Sequence, residues 1–436
     1  MNKFEMIRGQ KATEQLASDV EKNVLARSIL FSGPACSGKG TTALELARVL
    51  SCEAGGADAQ CACQSCAQHR LLANPDLLAF GPKPFSAEIA ATAAAFTRDT
   101  TKAPLFARAV KKLLLRFASA LWEDEPKFGK LSDMVADLEA SSKEIVELAT
   151  QDAKKIEKRI AAILKDTIKL ESEGITDTIA IAQIRRAAAW THFAPSGRRK
   201  FLLIENADLM QEGARNSLLK LLEEPPSAVH IVLTTEHEQA LLPTILSRVR
   251  PYRFNKRPPE TEASVVHEVF GDSVKQNVGV YLDSFLPVSA DTLRDLAAYF
   301  AASVAMNTVV RLKRPALEQP AELVALGRHT TPIAERAGLG RPVLNRQVVI
   351  AKITTGAKNF EIRGLFQRFL RELLSFIGES FKESRGSPAY LDLWQQAVST
   401  AGVAVGSYNQ KPSAALDRLG AELSLHMLEL WHPAGV

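Results

Sequence analysis

Short apolar runs alternate with amphipathic stretches near the start of the chain and again from Ile181 to Thr235. Ser28-Ile29-Leu30-Phe31-Ser32, Phe201-Leu202-Leu203-Ile204 and His230-Ile231-Val232-Leu233-Thr234-Thr235 are continuous apolar runs, the pattern of strands buried on both faces. Apolar residues at helical spacing predict helices over 11–25, 41–50, 181–192 and 212–222, the last stopped by Pro225-Pro226. Strands and helices in alternation predict a parallel sheet covered on both sides, hence an α/β module.

From about Lys83 to Gly174 the chain turns Ala-, Lys- and Glu-rich, and no Gly or Pro lies between Gly129 and Gly174. Leu131, Val135, Leu138, Ile145, Ala149, Ile156, Ile163 and Leu170 recur at spacings of three, four and seven, which predicts one long helix with a coiled-coil-like seam. Pro104 to Trp122 offers Leu105, Val110, Leu113, Leu114, Phe117 and Leu121 as a matching face. A helical hairpin inserted into the α/β module and projecting from it is therefore expected. After Pro258-Pro259 the pattern is helical, with breaks near Pro287, Pro315–Pro320 and Gly386-Ser387-Pro388. The expected domains are 1–82 with 175–255 for the module, 83–174 for the hairpin, 256–335 for a small helical lid and 336–436 for a helical collar.

At 436 residues the chain exceeds one ordinary core, and 46% hydrophobic with 24% charged residues excludes wholesale disorder. Its net charge of +5, from 54 basic and 49 acidic residues, permits contact with nucleic acid without demanding it. No run of 18 apolar residues spans a membrane, and Met1-Asn2-Lys3-Phe4-Glu5 lacks a signal-peptide core, so a cytoplasmic location is expected.

Gly33-Pro34-Ala35-Cys36-Ser37-Gly38-Lys39 falls between a predicted strand and a predicted helix, the setting a phosphate loop requires. Its N–H groups would turn toward a phosphate at a helix N-terminus, and Lys39 would reach the β/γ-phosphates. Gly40 stands where a Mg²⁺-binding hydroxyl is usual, and the hydroxyl slips to Thr41. The strand over 200–204 ends in Glu205-Asn206-Ala207-Asp208 rather than Asp-Glu. Glu205 thus takes the metal position and Asn206, an amide with no proton-accepting charge, takes that of the base. ATP/Mg²⁺ binding through Gly33, Ser37, Gly38, Lys39, Gly40, Thr41 and Glu205 is expected; turnover is not. The alternatives are a glycine-rich turn without ligand and a loop of the right shape that binds nucleotide weakly.

Four of the five cysteines, Cys52, Cys61, Cys63 and Cys66, lie within fifteen residues. Clustered thiols in a cytosolic chain argue for metal over disulfides, and four thiolates suit a closed structural Zn²⁺ site. The Cys61-Ala62-Cys63 spacing is one residue tighter than usual, and four reduced thiols in a loop are the alternative.

The chain resembles the AAA+ subunits of the bacterial DNA polymerase III clamp loader. The resemblance rests on Ile7-Arg8-Gly9-Gln10, the loop and cysteine knuckle in that order, Asn216-Ser217-Leu218-Leu219-Lys220-Leu221-Leu222-Glu223-Glu224-Pro225-Pro226, and Leu242-Pro243-Thr244-Ile245-Leu246-Ser247-Arg248-Val249. It covers about 4–80 and 177–254. It implies an AAA+ P-loop module with a helical lid and collar, sensor 1 at Thr235 or its neighbour Thr234, and a trans arginine finger at Arg248. It also implies a hetero-oligomeric ring with gamma/tau and delta subunits, and the sliding clamp and primed DNA as partners. The family's motor subunit, gamma/tau, keeps Asp-Glu and a hydroxyl after the loop lysine. Glu205-Asn206 and Lys39-Gly40 depart from both, which implies the delta-prime type, a component of the polymerase holoenzyme without ATPase activity of its own. An active gamma/tau-like ATPase is the alternative. The resemblance says nothing about 83–174. From Asn409 to Leu419 the chain weakly resembles the collar's closing helix.

Overall fold

The computed structural model describes residues 4, 7–123, 125–176, 178–274, 277–286, 288–312, 326, 346–354, 359–384, 387–406 and 410–431. Pro287, the 315–320 break, the 335/336 boundary, Gly386 and Asn409 lie outside the described residues. The chain divides into two compact units, Met1–Phe285 and Leu286–Val436.

The first unit holds a five-stranded sheet of β1 (Ser28–Ser32), β2 (Leu77–Phe80), β3 (Lys200–Ile204), β4 (Val229–Thr235) and β5 (Arg250–Arg253) in the order β2-β3-β4-β1-β5. Every pairing is parallel. Strand residues alternate between two packed layers, because successive side chains point to opposite faces. Ile29, Phe31, Phe201 and Leu203 join the layer built on α1 (Lys11–Glu21), α2 (Lys39–Ser51) and α3 (Gln64–Arg70). Leu30, Leu202 and Ile204 join the opposite layer with α9 (Ile181–His192), α10 (Glu212–Glu223) and the short α11 (Pro243–Leu246). The three strands read from apolar runs are β1, β3 and β4. β2 and β5 have only four residues each, and β5, Arg-Pro-Tyr-Arg, buries only Tyr252. Pairing along the sheet, not hydropathy, defines them.

The inserted segment differs from its expected form in three ways. Its long seam is two helices, α7 (Ser132–Leu148) and α8 (Ala153–Gly174), separated where the Asp152 side chain accepts from Lys155 N–H and caps α8. A further helix, α4 (Ser86–Arg98), joins α5 (Ala103–Leu114) in the same core. The expected pairing is present, with α5 packed along α7, and the seam residues Leu131, Val135, Leu138, Ile145, Ile156, Ile163 and Leu170 are buried. Finally, the segment does not stand clear of the module. Ala91 and Ala95 of α4 pack with Val266 and Phe270 of α12 (Pro259–Phe270) and with Tyr281 of α13 (Val278–Asp283), while α6 (Ser119–Trp122) lies against α9. Burial of small alanine faces against neighbouring helices makes the insertion part of the first unit.

The 285/286 division also splits the segment assigned to the lid. α12 and α13 belong to the first unit, and α14 (Ala290–Leu312) belongs to the second. There it packs with α15 (Arg346–Thr354), α16 (Asn359–Ser384) and α18 (Pro412–Trp431), while α17 (Pro388–Gly406) packs on α16 and α18. Phe300, Phe366, Phe369, Trp394, Leu416 and Leu423 are central to that core. No described helix is long and apolar enough to cross a membrane.

Candidate nucleotide site and metal centre

The loop from Gly33 to Lys39 joins β1 to α2, as its apolar and amphipathic flanks predict. Gly33 has φ +143°, and a side chain there would collide with the Phe254 carbonyl. Lys39 is buried and folds back on the loop, its Nζ donating to Gly33 O at 2.7 Å and Pro34 O at 2.6 Å, with buried Ser37 Oγ at 3.5 Å. Burial lowers its pKa. Gly38 precedes α2 with φ +99° and lies beside Arg257, whose guanidinium donates to Cys36 O at 2.8 Å and Arg8 O at 2.9 Å. Gln10 is buried and exchanges hydrogen bonds with the backbone of Asn255. Thr41 is exposed, while Thr42 is buried and bonds Gly38 O.

Glu205 directly follows β3 and is brought to the loop: a Cβ added at Gly40 would lie 2.8 Å from Glu205 Oε1 and 3.6 Å from Lys83 Nζ. Two cations hold its carboxylate. Lys83 Nζ lies 3.2 Å from Oε1, and the buried Arg116 guanidinium forms an ion pair with Oε2. Both also face the Phe85 ring, with Lys83 Nζ at 5.5 Å and Arg116 Cζ at 4.8 Å from its centroid. Burial lowers the pKa of Lys83 and brings that of Arg116 down to about 9.

Mg²⁺, which a phosphate loop of this class implies, does not fit these residues: the hydroxyl position is Gly40, and the carboxylate that would face the metal is already neutralised by side chains. Asn206, in the left-handed region at φ 53°, donates its amide to Pro82 O at 2.6 Å. Thr234 Oγ1 accepts from Asn206 N–H, and Thr235 Oγ1 donates to Asp208 Oδ1 at 2.5 Å. Arg248 is not at this cluster. It follows α11, pairs with Glu223 of α10 at 2.7 Å and donates to Thr244 O at 2.8 Å.

Cys52, Cys61, Cys63 and Cys66 come together with all four sulfurs within 4.8 Å of one another. Tetrahedral Zn–S bonds of about 2.3 Å place sulfurs roughly 3.8 Å apart, and Cys52 and Cys61 are 3.7 Å apart. The tight Cys61-Ala62-Cys63 spacing is accommodated because Cys63 is the N-cap residue of α3, which turns Cys66 back to the cluster. The Cys66 N–H holds the Cys63 thiol down at about 6, favouring the ligating thiolate, while burial pushes Cys66 up. Fully buried Arg48 supports the cluster from behind, donating to Cys66 Sγ at 3.3 Å and to Ala57 O and Asp58 O while pairing with Glu45.

Lys83, Arg116, Arg257 and Arg48 were not singled out by sequence. Arg48, set among Leu44, Leu46, Ala47 and Val49, is the one that pattern could have found. Lys83 and Arg116 lie 122 and 89 positions from Glu205 and read as ordinary charged residues.

The fold and site define the class: a P-loop α/β module of AAA+ type carrying a four-cysteine knuckle and followed by helical domains. A family profile described as "DNA polymerase III, delta subunit" matches residues 9–121 and 127–258. The chain belongs to that family. The matched stretches include part of the inserted segment, beyond the reach of the motifs. Subunit delta' of DNA polymerase III from Bacillus subtilis is 38% identical over 87 residues, 19% of this chain and 26% of that protein. Subunit delta' from Pseudomonas aeruginosa is 38% identical over 84 residues, with the same shares. Subunit gamma/tau from Mycobacterium bovis is 29% identical over 108 residues, 24% of this chain and 18% of that protein. The chain thus spans about a quarter or less of these relatives. A solved structure of a gamma subunit-related protein from Thermotoga maritima aligns over 57% of this chain and 80% of its own at 22% identity, with a TM-score of 0.28.

Proposed function

We propose that this chain is a delta-prime-like subunit of a cytoplasmic DNA polymerase III clamp loader, one that serves a neighbour's ATP rather than hydrolysing its own. One observation carries the reading: the position of the base is an amide, Asn206, committed to Pro82 O, so it offers no carboxylate to activate water. Arg248 is the complementary part. Its partly exposed pair with exposed Glu223 is worth at most about 1 kcal/mol, so the guanidinium is cheaply released toward a nucleotide on an adjacent subunit. There it would stabilise charge developing on the transferred phosphoryl group. Thr235, held by Asp208, takes the sensor position. The knuckle holds one structural Zn²⁺ through Cys52, Cys61, Cys63 and Cys66, shaping the loop between α2 and α3. The second unit serves as collar in a ring with gamma/tau and delta subunits that opens a sliding clamp at primed DNA. The gamma/tau-like alternative, an active ATPase, requires a base that Asn206 does not supply.

The test is an ATPase assay of the ring reconstituted with Arg248→Ala. Assembly is expected to persist while the rate falls, by up to ~10³-fold at a fully dependent site and less for the whole ring. An unchanged rate in the assembled variant, or robust steady-state ATPase from the isolated wild-type chain, overturns the reading.

A further inference from the structure

The cations around Glu205 have a meaning beyond disabling hydrolysis. In a working phosphate loop a divalent cation (+2) beside one carboxylate (−1) leaves a net +1 facing the β- and γ-phosphates. Here Lys83 and Arg116 (+2) beside Glu205 (−1) leave the same net +1, delivered by side chains, with the neighbouring Glu88 carboxylate balanced by its own ion pair with Lys112. The placement matches as well as the charge. The Glu205 carboxylate and Lys83 Nζ lie 2.8 and 3.6 Å from the point where a side chain at Gly40 would begin, which is where the metal-binding hydroxyl would start. Gly40 is therefore more than a lost ligand: a Cβ there would press on the carboxylate the two cations hold.

The remaining groups favour an anion. Lys39 is bonded only to carbonyls of its own loop and the Ser37 hydroxyl, partners that a phosphate oxygen outcompetes because charge-assisted bonds are the stronger. Buried Arg116 also keeps its Nε without a hydrogen-bond partner. Lys83 is about a third exposed, so its ammonium is within reach of a ligand, whereas Arg116 is shut in beneath it.

We infer that Lys83 and Arg116 replace the divalent metal of this phosphate loop, so that the chain binds the polyphosphate of a nucleoside di- or triphosphate without Mg²⁺ and keeps it unhydrolysed. The inference rests on the loop being a phosphate site and is independent of the trans role of Arg248. The inserted segment supplies both cations, Lys83 just before α4 and Arg116 just after α5. Its function at this site is thus to complete the ligand pocket.

The experiment is calorimetric titration of the full chain with ATP, in EDTA and in excess Mg²⁺, with ADP and inorganic pyrophosphate as further ligands. Wild type is expected to bind ATP with affinities that agree within about threefold in the two buffers, a difference below about 1 kcal/mol. Pyrophosphate is expected to compete, since the recognised charge is on the phosphates. Lys83→Ala is expected to weaken binding in EDTA by about tenfold or more, with part of the loss recovered in Mg²⁺. Partly exposed Lys83 is the chosen position because buried Arg116 is a greater risk to folding, and circular dichroism with a urea midpoint checks the variant. No ATP binding in EDTA, a wild-type requirement for Mg²⁺, or a folded Lys83→Ala variant with unchanged affinity each overturns the inference. Such a failure leaves the Arg248 reading to its own assay on the ring.

Discussion

The first unit has two places arranged around a cation's charge, and they are opposite in character. At the knuckle four sulfurs converge within 4.8 Å and the resident cation, Arg48, stands behind one of them, leaving a negative centre when the thiols ionise. At the end of β3 one carboxylate already has two resident cations, leaving a positive centre. The knuckle's sequence pattern was the damaged one, with a residue missing from its spacing, yet its geometry closes. The phosphate loop's pattern was nearly whole, yet its metal position is taken. The difference is one of range. A local spacing defect is absorbed by a flexible loop and a helix start at Cys63, whereas charges brought from another segment decide what a loop can hold.

The largest expected effect tests the negative centre. Chain purified without chelator is expected to carry about one zinc, and Cys63→Ser and Cys66→Ser are each expected to bring that near zero. Because structural zinc contributes on the order of 10 kcal/mol in small zinc domains, chelation should also expose the loop between α2 and α3 to protease. Metal-free wild-type protein would remove one side of the contrast.

The positive centre is tested by Glu205→Ala, which leaves Lys83 and Arg116 without their shared counter-ion. Breaking a buried pair typically costs about 3–5 kcal/mol, and the exposure of Lys83 places the expected loss of unfolding free energy at about 3 kcal/mol. Part of that loss should return in Lys83→Ala/Glu205→Ala. A single-variant cost below about 1 kcal/mol would show that the carboxylate is not what holds the cations in place.

A smaller, pH-dependent effect sharpens the contrast by probing how Lys83 is anchored. Glu171 of α8 accepts from Phe85 N–H and Ser86 Oγ, both at 2.9 Å, where the chain leaves Lys83 and enters α4. Burial raises its pKa from the ordinary 4.5 to about 7. The folded state therefore holds this proton more tightly than the unfolded chain. Its stabilising contribution is complete below pH 4.5 and is lost as pH rises through about 7. The stability difference between wild type and Glu171→Gln should accordingly shift by up to about 3 kcal/mol across that window, in the direction of a less stable wild type at neutral pH. Parallel pH profiles of the urea midpoints would show that this carboxyl does not titrate in the fold.

Sequence made legible what short-range pattern encodes. β1, β3 and β4 are apolar runs, the loop follows β1, and the seam residues Leu131 to Leu170 are buried as their spacing requires, Ala149 only partly so. The break within the seam was hidden because α7 ends at Leu148 and Asp152 starts α8 without Gly or Pro between them. α4 escaped notice because three of its six buried residues are alanine, whose small side chain gives little periodic contrast. Arg116 and Lys83 were illegible for a stronger reason. Their role exists only once β2, α5 and β3 are brought together, and a charged residue in sequence carries no mark of the partner it will meet.

The outer strand β5 has one further consequence. Phe254 N–H donates to Ser32 O of β1, and since backbone direction alternates along a strand, the nitrogen of Pro251 points away from the sheet, where it has no hydrogen to offer. Exposed Arg250 and Arg253 flank it. This margin is a poor template for a sixth strand from any other polypeptide, which protects copies of the chain from edge-to-edge aggregation. Recognition along this margin is thereby left to side chains, where an exchange of single residues can choose one neighbour over another, rather than to a main-chain ladder that accepts almost any sequence.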